Sequence, residues 1–205
     1  MNQYIVTVFK DYYKFAGIKE RKFDIFMPFI ISIVLVLTTF FLIQNPSDIL
    51  SMLKDLNNVS LNVISILAGF NTASLSLIAA SNFNTLGKMF GSGRSVKNDN
   101  SANLLKQTVS FFGYAIMMQL FLLILGAVFI MVFNSLTPVI KNHPYRYWNL
   151  SFYIALSVFA ITWIAAIFHT LFVSIRNITI LYNYVLLIGK EAYDQNKQNG
   201  DDSSY

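Results

Sequence analysis

The chain of 205 residues is 55% hydrophobic and 12% charged, with a formal net charge of +5 and no Cys. An ordinary globular domain has about a quarter charged residues; half that share, with the apolar residues gathered in blocks, excludes a soluble single-core domain and points to an integral membrane protein. Without Cys there are no disulfides, thiol nucleophiles or thiolate metal sites.

Residues 1–24 read as a cytoplasmic interfacial amphipathic helix. Ile5, Val8, Phe9, Tyr12 and Phe15 recur at helical spacing, while Lys10, Asp11 and Lys14 fall mainly off that face. Gly17 is the expected helix stop. The same charges, with Lys19 and Glu20, interrupt any signal-peptide pattern. The helix is expected to pack on the inner surface and fix the first span, with docking of a partner or anionic lipid as the alternative.

Four segments are long and apolar enough to cross about 30 Å of hydrocarbon as helices. They lie at about 26–43, 61–81, 111–133 and 151–174, so residues 25–175 read as an all-α four-helix transmembrane bundle. After the first span, Pro46-Ser47-Asp48 looks like a helix start. Ile49, Met52, Leu53 and Leu56 would make a short amphipathic helix on the outer face. Residues 82–110, with GSGRSVKNDNSAN, read as a flexible inner loop. In the second outer loop, 134–150, Tyr145, Tyr147 and Trp148 match an aromatic belt. Residues 176–205 read as a cytoplasmic continuation of the last helix, ending in a disordered tail from Asn196.

Orientation follows from the basic residues. With the N-terminus inside, the inner segments hold twelve Lys and Arg: Lys10, Lys14, Lys19, Arg21, Lys22, Lys88, Arg94, Lys97, Lys106, Arg176, Lys190 and Lys197. The outer loops hold three, Lys54, Lys141 and Arg146. Both termini are therefore expected in the cytoplasm. The excess of Asn, Ile, Lys and Phe reads as an AT-rich bacterial coding sequence, which places the chain in a bacterial inner (plasma) membrane.

The second span is the least greasy. At 100° per residue Asn62, Ser65, Gly69, Thr72, Ser76 and Ala80 share roughly one quarter of the circumference, and Asn71 and Ser74 add polar groups elsewhere. Ser65-xxx-Gly69-xxx-Ala73 is a doubled small-xxx-small pattern. Asn62, Ser65, Gly69, Asn71, Thr72 and Ser76 are thus candidate helix-interface or pore-lining residues. Packing inside the bundle and self-association of copies are the two readings, and this span is expected to be the one most enclosed by protein. Gln119 and His169 lie at similar depth and are candidates for an interhelical polar latch; His titrates near neutrality, so the latch could respond to pH.

Catalysis finds no support. His143 and His169 are the two His residues, no acidic residue falls within a span as bounded above, and no metal-ligand spacing occurs. Gly91-Ser92-Gly93-Arg94 lacks the phosphate-loop pattern. The chain reads as a non-enzyme without cofactor or metal. Two functions fit: an oligomeric pore-forming or membrane-sensing subunit built on the second span, or an anchor recruiting a cytosolic protein effector through residues 82–110 and 176–205. The partners expected are the bilayer, further copies of the chain and such an effector, with no direct nucleic-acid contact. A small transporter or a holin- or immunity-like protein would share the outline.

In length, lack of Cys, four-span topology and inner segments 82–110 and 175–205, the chain resembles the small membrane subunits of bacterial anti-phage defence systems such as Kiwa. The resemblance implies an oligomeric membrane sensor paired with a cytosolic effector that acts on nucleic acid. It carries no motif, so it assigns no residue a role.

Overall fold

A computed structural model describes residues 2–43, 46–81, 104–142 and 150–202. These form five helices, and no strand occurs among the described residues. In chain order they are α1 (Asn2–Phe15), α2 (Ile18–Leu42), α3 (Pro46–Ala79), α4 (Leu104–Asn142) and α5 (Leu150–Asp202). Helices α2 to α5 are each long and apolar enough to cross a membrane, which makes this an all-α integral membrane protein.

The helices outrun the spans read from hydropathy. Pro46 starts α3 as expected, its missing N–H costing nothing in the first turn. The short outer helix is not a separate element. From Ser47 to Ala68 there is neither Gly nor Pro, so the backbone continues through Lys54 and Asp55 into the span. Ile49, Leu50 and Leu53 are buried against Val36, Phe133, Leu156, Ala160 and Ile164, where an interfacial helix would have laid them on lipid. Likewise the second outer loop begins later than 134, because α4 runs to Asn142 through Pro138. Its aromatic residues Tyr145, Tyr147 and Trp148 fall outside the described residues, as does 82–103 of the inner loop; 104–110 is the first part of α4. The tail read as disordered from Asn196 is helical to Asp202, with no Pro in α5 to break the ladder.

Contacts define an up-down bundle. Helix α3 runs antiparallel to α4, pairing Asn57 with Gly126 and Asn71 with Gln119. Helix α2 runs antiparallel to α5, pairing Asp24 with Arg176 and Phe40 with Tyr153. Helix α5 is the most enclosed: 44% of its apolar stretch is buried, against 28% for α3, which corrects the expectation that the second span is central. Only α5 packs closely on α2, α3 and α4 alike. Much of the outer surface is apolar, with Phe41 85% and Met131 71% exposed, as lipid-facing side chains should be.

Helix α1 folds back onto the N-terminal part of α4 and the middle of α5. Tyr12 and Ala16 are buried with Phe111, Tyr114, Ala115 and Val173, and Val8, Phe9 and Phe15 flank them. The helix ends before Gly17, whose N–H donates to Glu20 Oε2 at 3.0 Å and so caps α2.

Candidate functional site

The polar groups fall into three sets, and the first begins with a proline. Pro28 is buried within α2 and has no N–H to donate to the carbonyl of Asp24, four residues earlier. His169 of α5 fills that vacancy: its Nδ1 lies 2.8 Å from the Asp24 main-chain oxygen. A carbonyl only accepts, so Nδ1 carries the hydrogen. In the neutral ring Nε2 then accepts, and the Tyr114 hydroxyl stands 2.8 Å from it.

The Asp24 side chain faces the same junction. Its Oδ2 lies 2.6 Å from Arg176 Nη1 and accepts from the Tyr12 hydroxyl at 2.9 Å. Arg176 Nη2 donates to that hydroxyl at 2.7 Å. The guanidinium lies over the rings of Phe111 and Tyr12, at 4.7 and 5.1 Å, and Tyr12 stacks on Tyr114 at 3.7 Å. Burial pushes the Tyr12 phenol well above its ordinary value, outweighing the opposite pull of Arg176, so Tyr12 keeps the proton it gives Asp24. Four helices, α1, α2, α4 and α5, are tied at this one point. The carboxylate and guanidinium side chains are 6% and 16% exposed, so the pair is largely shielded from solvent.

The second set is an amide layer on the opposite side of α5. Asn71, Gln119, Ser174 and Asn177 are fully buried. Asn71 Nδ2 donates to Gln119 Oε1 at 3.1 Å and to Ser174 Oγ at 3.2 Å, and Gln119 Nε2 donates to Ser174 Oγ at 2.8 Å. Asn177 Nδ2 donates to Asn71 Oδ1 at 3.1 Å, and Ser174 Oγ donates to the Thr170 carbonyl at 2.8 Å. Three helices thus close a ring of side-chain bonds in which Ser174 uses both lone pairs and its proton. Such a ring locks the register of the three helices.

The third set is the α3 stripe. Asn62, Ser65, Gly69, Thr72 and Ser76 are on the exposed face of α3, and Asn71 is on the buried one. The stripe therefore does not pack inside its own bundle. Ser65, Thr72 and Ser76 donate to the carbonyls of Leu61, Ala68 and Thr72 of their own helix, at 2.8 to 2.9 Å. A Cβ on Gly69 would meet nothing within 4 Å.

Of the expected latch pair, each residue bonds across helices, but to different partners: Gln119 in the amide layer, His169 at the Asp24 junction. Reading the first span from Phe26 placed Asp24 outside it; α2 starts at Ile18, and Asp24 is a buried carboxylate within the apolar helix. Its signal was the spacing Asp24-xxx-Pro28, which orphans a carbonyl that a neighbour must serve. Arg176, Tyr12, Tyr114, Ser174 and Asn177 carried no comparable mark. Among the described residues no three His, Asp or Glu side chains gather as a metal site.

No protein-family model matches the chain, and neither a curated protein nor a solved structure does. The class is defined by the fold itself: a four-span α-helical membrane protein with a buried polar core and an uncharged polar stripe on its outer surface.

Proposed function

We propose that the chain is a non-enzymatic subunit of a membrane homo-oligomer whose copies meet along the exposed face of α3, forming a pore or a membrane-sensing assembly. The outward direction of Asn62, Ser65, Gly69, Thr72 and Ser76 carries the reading. Asn62 stands near the middle of α3, and no described residue bonds its side chain. An amide turned to hydrocarbon is costly, and a second copy or water relieves the cost. Ser65, Gly69 and Ala73 are small enough for two helices to approach closely. Because Asn71, Gln119, Ser174 and Asn177 are fully buried and bonded to one another, a conducting path would run between copies, lined by hydroxyls and amides without fixed charge.

The split of twelve inner against three outer basic residues supports cytoplasmic termini in a bacterial inner membrane. That orientation favours a second reading, recruitment of a cytosolic effector as in a two-component anti-phage system. Its support is α5, whose 53 residues reach about 80 Å and so project well beyond about 30 Å of hydrocarbon.

Vesicles reconstituted with the full chain and loaded with an ion-sensitive dye test the choice. Leakage that Gly69→Leu abolishes is expected for the pore. Tight vesicles holding a defined oligomer discard the pore and leave the sensing subunit; a monomer discards both.

A further inference from the structure

Between α2 and α5, at the end of the bundle nearest α1, runs a groove of about 510 Å³ lined by Lys19, Phe23, Phe172, Ile175, Arg176 and Thr179, with two carboxylates beside them. Its polarity is graded. Helix α2 enters the apolar region from Lys19 towards Phe23, and α5 leaves it from Phe172 towards Thr179, so the ammonium and hydroxyl sit at the outer mouth and the rings deeper. Phe23 and Phe172 meet edge to face at 5.5 Å, and Phe23 and Ile175 remain 51% and 57% exposed.

The lining itself is balanced, Lys19 and Arg176 against Glu20 and Asp24, and Arg21 and Lys22 beside it make the region as a whole positive. Glu20 accepts the Gly17 N–H and Asp24 accepts from Arg176 and Tyr12, which leaves Lys19 without an ion-pair partner among the described residues. Arg176 Nε is also buried without a partner.

We propose that this groove holds one anionic phospholipid, its phosphate at the Lys19 ammonium with the Arg176 guanidinium behind it, and an acyl chain along Phe23, Phe172 and Ile175. The groove reproduces the lipid's own profile, charge outside and hydrocarbon within, at the depth where headgroup meets chain. A zwitterionic lipid brings the same phosphate but no net charge for the surplus of Lys19, Arg21 and Lys22 to hold. The site is complete within one copy and stands apart from the question of assembly.

The test uses the full chain in phosphatidylcholine bilayers with chain-spin-labelled phosphatidylglycerol or phosphatidylcholine, measuring the motionally restricted fraction. Phosphatidylglycerol should associate more strongly, and added salt should weaken the preference. Lys19 is exposed, so Lys19→Gln keeps the fold and should lower the preference by up to about fivefold. Lys22→Gln, outside the groove, should lower it less. Equal association of the two lipids, or equal losses at Lys19 and Lys22, would overturn the site. Displacement of the labelled lipid by soluble glycerol phosphate would show a phosphate pocket and overturn the lipid assignment.

Discussion

Pro28 sets the chemistry of the junction with α1 one atom at a time. By withholding an N–H from the Asp24 carbonyl it creates the acceptor that His169 serves, and this bond aligns α5 so that Arg176 meets the Asp24 carboxylate. His169→Gln, which can still donate, should keep most of the stability that His169→Leu loses, about 1–3 kcal/mol, read from thermal unfolding in detergent. Removing one charge is harsher. Arg176→Met leaves Asp24 buried without its counter-ion and should cost about 3–5 kcal/mol, while Arg176→Met with Asp24→Asn should recover part of it. Equal stability of the single and double variants would contradict a coupled pair. Tyr12 adds a pH dependence with a definite sign. Its folded-state value is raised, so its contribution is complete below the ordinary phenol value of 10.0 and fades as pH rises beyond it. Unfolding scans of the wild type should lose more stability above about pH 10 than scans of Tyr12→Phe. Of this junction the sequence displays only the Asp24-to-Pro28 spacing; Arg176 is more than 150 residues away along the chain, at a distance no local pattern reports.

At the level of elements, the α3–α4 contact depends on Gly126. A Cβ there would collide with Leu61 Cδ2 and press on Asn57 Oδ1, while its carbonyl accepts from Asn57 Nδ2 at 3.0 Å. Gly126→Ala asks that Leu61 turn aside and that Asn57 yield by a few tenths of an ångström. Gly126→Val forces the helices apart and should cost about 1–3 kcal/mol in the same unfolding assay; a neutral Gly126→Val would mean the close approach is dispensable. The four spans were legible because a bilayer demands long apolar runs, and hydropathy reports those directly. Helix ends were less legible. Lys54-Asp55 and Asn57-Asn58 look like a break, yet Asn57 is buried on α4 and the helix passes through. Asn71 and Gln119 were legible as polar residues in apolar runs. That they meet Ser174 and Asn177, and not His169, depends on rotations of α4 and α5 that a single sequence does not encode locally.

For the molecule as a whole, most polar side chains inside bond to one another across helices, while the small and polar groups of the α3 stripe face outward and bond to no other helix among the described residues. That outward stripe is the arrangement expected of a subunit. The periodicity of Ser65, Gly69, Thr72 and Ser76 was fully legible, but its direction was not, because a stripe of small residues serves equally for packing within a bundle and between copies. The natural absence of Cys makes the decisive measurement clean. Single-Cys variants Ser65→Cys and Ser76→Cys, in membranes under oxidising conditions, should give disulfide-linked dimers, while Met131→Cys, exposed on α4, should stay monomeric. Cross-linking that is absent at the α3 positions, or no greater there than at Met131, would contradict assembly along α3.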